Sequence, residues 1–243
     1  MKKISIIMPT YGGKYIKEAL DSVFNQTVRP YEICITVDGS KKTHKKLKRY
    51  LRKKDKKGII VRVKNRKSNL GIGATLNDCI RMSKGELITW LSDDDEFLPD
   101  KIELQLEEYD RVKNDNVILY GDYNLKDKKT GRMVGYVKGI DFKDIGEEKE
   151  EVMKSCFVNF CTTLIPKKVF DKVGLFDPDK RFGEDYEWLM RAIVLNDVFV
   201  QYIDTVLTNY GVDKNEQATA KEADKIQAND EDSRNKIRNM LKL

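Results

Sequence analysis

The chain has 243 residues, 40% of them apolar and 35% charged, with a formal net charge of +6. That length gives one large domain or two small ones with a full core, and the heavy charge excludes a membrane-embedded chain in favour of a globular one with a water-facing surface. No apolar stretch reaches the roughly 20 residues that span a bilayer. The apolar run at 4–8 is shorter than a secretory signal core and lacks a small-residue cleavage site, so a cytoplasmic protein is expected.

In chain order, 4–8 is rich in β-branched residues and stops at Pro9, the pattern of a buried strand. Ile16, Ala19, Leu20, Val23 and Phe24 recur at helical spacing within 15–26. Residues 32–37, EICITV, form a second strand closed by Asp38 and Gly39. Residues 41–57 are strongly basic. They read either as a solvated helix whose buried stripe is Leu47, Tyr50 and Leu51, or as a patch facing a membrane surface, nucleic acid or an acidic acceptor. A third strand is expected at 59–63. A Gly-rich turn then leads to a helix through 74–82 that stops at Gly85. The fourth strand, 86–91, runs straight into Asp93, Asp94 and Asp95.

The second half is less regular. A helix is expected at 99–112, a strand at 117–123, a hairpin turn in KDKKTGRM and a strand at 134–137. Residues 141–153 read as a mobile loop or short helix, 157–165 as a strand and 167–173 as a helix. Another helix begins near Glu184, and 198–203 is the last expected strand. Beyond Asp213 the chain is almost wholly polar until Ile237, so an exposed helix or partly disordered tail is expected at 214–243. Cys34 and Cys79 sit in apolar patterns and read as reduced core residues. Cys156 and Cys161 lack a Cys-x-x-Cys spacing, and with His44 the sole histidine the chain offers no zinc ligand set.

Strands alternating with helices imply an α/β fold, a mostly parallel sheet with helices on both faces. Ligands bind such sheets beyond the carboxyl ends of the strands. Pro9, Thr10, Tyr11, Asp38 and the three aspartates all fall at those ends. Successive residues at a strand end point in different directions, so three adjacent aspartates cannot all chelate one ion. The expectation is one on a metal, one in support, and one in water.

The segments SIIMPTYGGKYIKEALDSVFNQTVRPYEICITVDGS, NLGIGATLNDCIRMSKGELITWLSDDDEFLPDKIE and VGLFDPDKRFGEDYEWLMR, in that order, resemble the family 2 glycosyltransferases of the GT-A fold. The likeness implies a domain over 1–213, with a nucleotide-binding half at 1–100, an acceptor half with a smaller β region at 101–213, and a polar C-terminal tail at 214–243. It implies an inverting transfer of a sugar from a nucleotide-diphospho-sugar, a UDP-sugar favoured, to a hydroxyl of a glycan, a lipid-linked or another acceptor. It implies Mn²⁺ or Mg²⁺ as cofactor. Pro9, Thr10 and Tyr11 would line the base and ribose pocket, and Asp38 would accept from the nucleobase. Asn69 and Gly71 would form the turn beside the nucleotide, with Asn77 on the helix behind it. In the family's Asp-x-Asp motif Ser92 stands at the usual ribose aspartate. Asp94 is then the metal ligand, with Asp93 and Asp95 in support. Asp185, six residues before Arg191, would be the general base, with Glu184 as its acidic neighbour. The chain departs from the family at Gly12, an asparagine elsewhere, and at Gly211 and Asp213, where many members carry arginine and histidine. Asp213 would serve as an oxygen ligand in the histidine's place.

Independently of the likeness, GED is also how a plain helix start reads, since carboxylates favour helix N-termini. Trp90 and Trp188 read as core or pocket wall, the lone GIG at 71–73 is a weak phosphate signal, and Tyr210 either touches donor phosphate or ends a strand. The rival readings are a sugar nucleotidyltransferase, whose long Gly-rich signature is missing here, and a nucleotide-sugar-binding or nucleic-acid-binding module without transferase activity, which leaves Asp93–Asp95 and Asp185 unexplained. Without transmembrane helices a pore-forming synthase is not expected. Peripheral membrane contact through 41–57 or the closing IRNMLKL stays open.

Overall fold

The computed structural model describes residues 2–213 and 223–241. Strands β1 (Ile4–Thr10), β2 (Glu32–Val37), β3 (Ile60–Asn65) and β4 (Leu87–Trp90) alternate with helices α1 (Ile16–Phe24), α2 (Lys41–Lys53) and α3 (Ile72–Met82). The strands pair in parallel in the order β3-β2-β1-β4. Every residue of β1, β2 and β4 is buried, as parallel strands covered on both faces must be. The register sets Thr10 beside Val37 and Ile7 beside Trp90, so three strands end at one edge. Ile16, Ala19, Leu20, Val23 and Phe24 form the buried face of α1, as expected. Helix α2 starts at Ser40, whose Oγ accepts from the Thr43 amide at 3.2 Å. Its Leu47 and Leu51 are buried, and the half-buried Tyr50 donates its hydroxyl to Asp21 at 2.6 Å.

The chain continues through β5 (Glu96–Phe97), α4 (Lys101–Val112), β6 (Val117–Asp127), β7 (Met133–Val137), α5 (Ile145–Val152), a 3₁₀ turn (Phe160–Thr162), β8 (Ile165–Pro166), α6 (Lys167–Val173) and α7 (Glu184–Met190). Helix α7 runs on into a π-helical turn (Arg191–Leu195), followed by β9 (Phe199–Val212) and α8 (Ala223–Met240). Strand β8 adds antiparallel to β4. A second sheet has the order β5-β9-β6-β7, with β6 and β9 parallel. A bridge between Leu119 and Leu164 links the two sheets.

Three expectations need correction. The strand expected at 157–165 is mostly irregular, and only Ile165–Pro166 joins the sheet. The Asn159 side-chain oxygen accepts from the Cys161 amide at 2.9 Å and the Thr162 hydroxyl turns back to the Asn159 carbonyl at 2.7 Å. These local bonds start the 3₁₀ turn and compete with the ladder. The last strand does not stop at 203 but reaches Val212. Its polar residues are paired inside the fold: Thr208 Oγ1 donates to the Cys161 carbonyl at 2.9 Å, and Asn124 donates to Asn209 at 3.0 Å. The exposed helix expected beyond 213 is a helix, but α8 buries Ser233 and Ile237, and Arg234 Nη1 donates to the Tyr186 hydroxyl at 3.2 Å. The disorder expected at 214–222 lies outside the described residues. Among the described residues no helix is long and apolar enough to cross a membrane. Cys34 and Cys79 are buried free thiols.

Candidate active site

Beyond the common strand edge lies a cavity of about 270 Å³ lined by Pro9, Thr10, Tyr11, Asp38, Asn69, Gly71, Ser92, Asp93 and Asp94. Nine positions named from sequence therefore converge on one hollow. Tyr11 lies at its mouth, 57% exposed. Asp38 is buried, and its two carboxylate oxygens accept from the amides of Leu70 at 3.0 Å and Gly71 at 2.9 Å. It thus holds the 69–71 turn as well as facing the cavity. Gly71 has φ +93, and a Cβ there would come within 3.3 Å of the Arg181 guanidinium. Asn77 does not line the cavity. Its amide nitrogen donates to the Phe176 carbonyl at 2.8 Å and its amide oxygen accepts from the Phe176 amide at 3.0 Å. That bond pair ties α3 to the chain that leads into α7.

The three aspartates diverge, as strand geometry requires. Asp93 accepts from the Thr10 hydroxyl and from the Gly13 amide at 3.1 Å, fastening the loop after β1. Burial raises its pKa. Asp94 faces the cavity and is ion-paired with the Lys128 ammonium. Asp95 points the other way, into β9, where Oδ1 accepts from the Gly211 amide at 2.8 Å and the Cys161 thiol lies against the carboxylate. Burial, then the neighbouring Asp94 charge, pushes Asp95 up to about 7. Asp95 is therefore turned from the cavity rather than into it or into water. Asp213 is buried beside the Lys129 ammonium at 3.3 Å and lines neither this cavity nor the next. Among the described residues no three His, Cys, Asp or Glu side chains are grouped to hold a metal by themselves.

A second cavity, of about 590 Å³, adjoins the first and shares Ile72 and Ser92 with it. Trp90, Tyr210, Glu184, Asp185 and Asp230 are among its lining residues. Trp90 packs on Phe160 and Phe176 as pocket wall, Trp188 is fully buried core, and Tyr210 of β9 packs edge-on against Tyr123 of β6. Gly183, at φ +67, delivers Asp185 into the first turn of α7, and a Cβ there would meet the Asp230 carboxylate at 2.7 Å. Asp185 Oδ1 accepts from the Tyr186 amide at 2.8 Å. Burial raises the Asp185 pKa, with the Asp230 charge adding to it. Glu184 is pushed up to about 8 by burial and by Asp185.

Lys128 and Asp230 escaped the sequence reading. Lys128 sits in a lysine-rich hairpin turn and Asp230 in a polar helix, and nothing local sets either apart from a solvated charge. The basic segment of 41–57 is found around a separate hollow of about 940 Å³, lined by residues such as Lys42, Lys45, Lys48 and Arg52, away from the carboxylates.

Residues 5–174 match the family described as Glycosyl transferase family 2. The chain belongs to that family. An uncharacterized glycosyltransferase of Rickettsia typhi is 34% identical over 206 residues, covering 82% of this chain and 61% of that protein. Another from Methanocaldococcus jannaschii is 27% identical over 213 residues, covering 86% of this chain and 70% of that protein. The chain thus spans less than two thirds of the Rickettsia protein it matches. Among solved structures, Staphylococcus aureus TarS 1–349 in complex with UDP-GlcNAc superposes with a TM-score of 0.68 at 20% identity, covering 88% of this chain and 60% of that one. This family 2 member therefore has the GT-A fold: a mixed α/β architecture built on a parallel sheet.

Proposed function

We propose that this family 2 member is an inverting, metal-assisted glycosyltransferase that moves a sugar from a nucleoside-diphospho-sugar to an acceptor hydroxyl. One observation carries the reading: a cavity edged by Asp38 and Asp94 adjoins, across Ser92, a second cavity lined by the half-buried Asp185 carboxylate at a helix start. The first suits a donor and the second an acceptor. TarS, with its UDP-GlcNAc complex, favours a UDP-sugar as donor.

Asp38 and the 69–71 turn hold the nucleoside end of the donor. The residues at the other end fit a divalent cation: Asp94 faces the cavity and already holds a positive group, the Lys128 ammonium. Mn²⁺ or Mg²⁺ would sit on Asp94, with Asp93 beside it, donor phosphates completing the oxygen shell. When bound, such an ion supplies Lewis-acid neutralisation of the leaving diphosphate. Asp185 takes the proton from the acceptor hydroxyl as it attacks the anomeric carbon. Its raised pKa brings it nearer the working pH, where a general base is most effective. Glu184 beside it is pushed up to about 8 by burial and by Asp185, so the adjacent pair disfavours carrying two negative charges at once. One displacement with no covalent nucleophile inverts the anomeric centre.

The test is thermal unfolding with UDP, GDP, CDP and dTDP, each with and without Mn²⁺. A ligand of the folded state alone stabilises by about 2.7 kcal/mol at one hundred times its Kd. UDP is expected to raise the Tm most, further with Mn²⁺, and Asp94→Ala to remove the metal-dependent part. No shift with any diphosphate would end the reading.

A further inference from the structure

We propose that Lys128 is a donor-diphosphate-binding residue, a resident cation at Asp94 that lets a nucleoside diphosphate bind without a divalent metal. The proposal rests on the reading of the Asp38–Asp94 cavity as the donor site.

Lys128 lies in the turn between β6 and β7, and its place there is built. Its backbone amide donates to the Val212 carbonyl at 3.0 Å, which fixes the residue to the end of β9. The turn itself is ordered by Asp127, whose Oδ1 accepts from the amides of Lys129 at 3.0 Å and Thr130 at 2.7 Å. From that anchor the side chain crosses Gly211. A Cβ at Gly211 would lie 2.7 Å from Lys128 Cε and would also collide with the Asp94 carbonyl oxygen. The collision with the Asp94 carbonyl requires glycine at 211, and the lysine stem passes over the same spot. The ammonium lies 5.9 Å from the Tyr15 ring centroid and ends on Asp94 Oδ2. The side chain is only 16% exposed, unlike Lys129 beside it at 49%.

A solvated turn lysine has no reason to be led across a glycine into a cluster of acids. A lysine that meets a diphosphate does. The ammonium offers three donors as a compact point charge and binds phosphate oxygens without a fixed fork geometry. With one N–H on Asp94 it keeps two for the donor. Were Asp94 to hold a divalent ion, the flexible stem would let the Lys128 ammonium leave the carboxylate and stay on the phosphates. Lysine and metal thus hold overlapping shares of the same negative charge.

The experiment is titration calorimetry of UDP into the wild type, Lys128→Met and Lys128→Arg, in EDTA and again with Mn²⁺. The methionine keeps the apolar stem over Tyr15, and melting curves of each variant confirm the fold. The wild type is expected to bind UDP in EDTA. Lys128→Met is expected to bind about tenfold or more weakly in EDTA and within about threefold of wild type with Mn²⁺, with Lys128→Arg restoring part of the loss. Equal binding by wild type and Lys128→Met in EDTA overturns the proposal, as does the same loss with and without Mn²⁺. Wild type that binds UDP only with Mn²⁺ also overturns it while leaving the donor site standing. Wild type that binds under neither condition removes the donor-site reading itself.

Discussion

Lys101 allows a quantitative check of the packing beneath the aspartate loop. It is fully buried, and its ammonium meets three neutral acceptors: Thr89 Oγ1 at 2.8 Å, Gln105 Oε1 at 2.6 Å and the Thr163 carbonyl at 3.3 Å. Burial pushes it down to about 7 from 10.5. Below pH 7 both folded and unfolded chains carry the proton, and the folded state bears the whole cost of a buried charge. Between about pH 7 and pH 10 the folded chain has released a proton that the unfolded chain still binds, so stability rises with pH in that window. The full displacement corresponds to about 5 kcal/mol, of which about 2 kcal/mol is regained between pH 7 and pH 9. Urea unfolding at pH 7, 8 and 9, followed by the fluorescence of the buried Trp90 and Trp188, measures it against Lys101→Met. The other titrating groups are common to both proteins and cancel in the difference. Wild type should gain about 2 kcal/mol over the variant from pH 7 to pH 9. Parallel curves would show that the three acceptors hold the charge and that burial does not decide its titration.

Asp185→Asn should lower the rate of UDP release from a UDP-sugar by about 10²–10⁴, while the UDP-induced Tm shift stays at the wild-type value. In wild type the acid limb of kcat/KM should lie above the ordinary carboxylate range, because burial raises Asp185, and it should vanish in the variant. Asn77→Ala strands the amide and carbonyl of the buried Phe176 and should cost about 2–4 kcal/mol in urea unfolding. Its residual activity should fall through kcat, since the cavity that takes UDP does not include Asn77.

The first half of the fold was legible because its strands are buried on both faces and so write themselves as unbroken apolar runs. Their stops at Pro9, Asp38 and Ser92 fall at one edge, which named Pro9, Thr10, Tyr11, Asp38, Asp93 and Asp94 of the cavity, while Asn69, Gly71 and Ser92 came from the family likeness. The divergence of Asp93, Asp94 and Asp95 followed from strand alternation alone, but the destination of each did not. Asp95 goes to the Gly211 amide only because β9 runs on to Val212, and β9 looked finished at 203 because its later polar residues are paired in tertiary structure. The segment at 157–165 failed for the opposite reason: a local asparagine bond outcompeted the ladder that its apolar residues advertised. Lys128 and Asp230 were illegible because what sets them apart is contact with residues far along the chain.

These long-range contacts explain how the halves act as one site. Asn77 sits in α3, whose N-terminus follows the turn held by Asp38, and its amide grips Phe176 ahead of the loop that presents Asp185. Ser92 stands between the two cavities, its hydroxyl 3.3 Å from the Cys161 thiol in the 3₁₀ turn. Lys128 reaches Asp94 from the second sheet across Gly211. On the proposed roles, loosening any of them would displace the Asp38–Asp94 cavity and Asp185 relative to each other without removing either. The separation of binding from turnover expected for Asn77→Ala follows from that geometry: a single helix follows the 69–71 turn at its start and anchors Phe176 a turn and a half further on, so the cavity survives while its alignment with Asp185 does not.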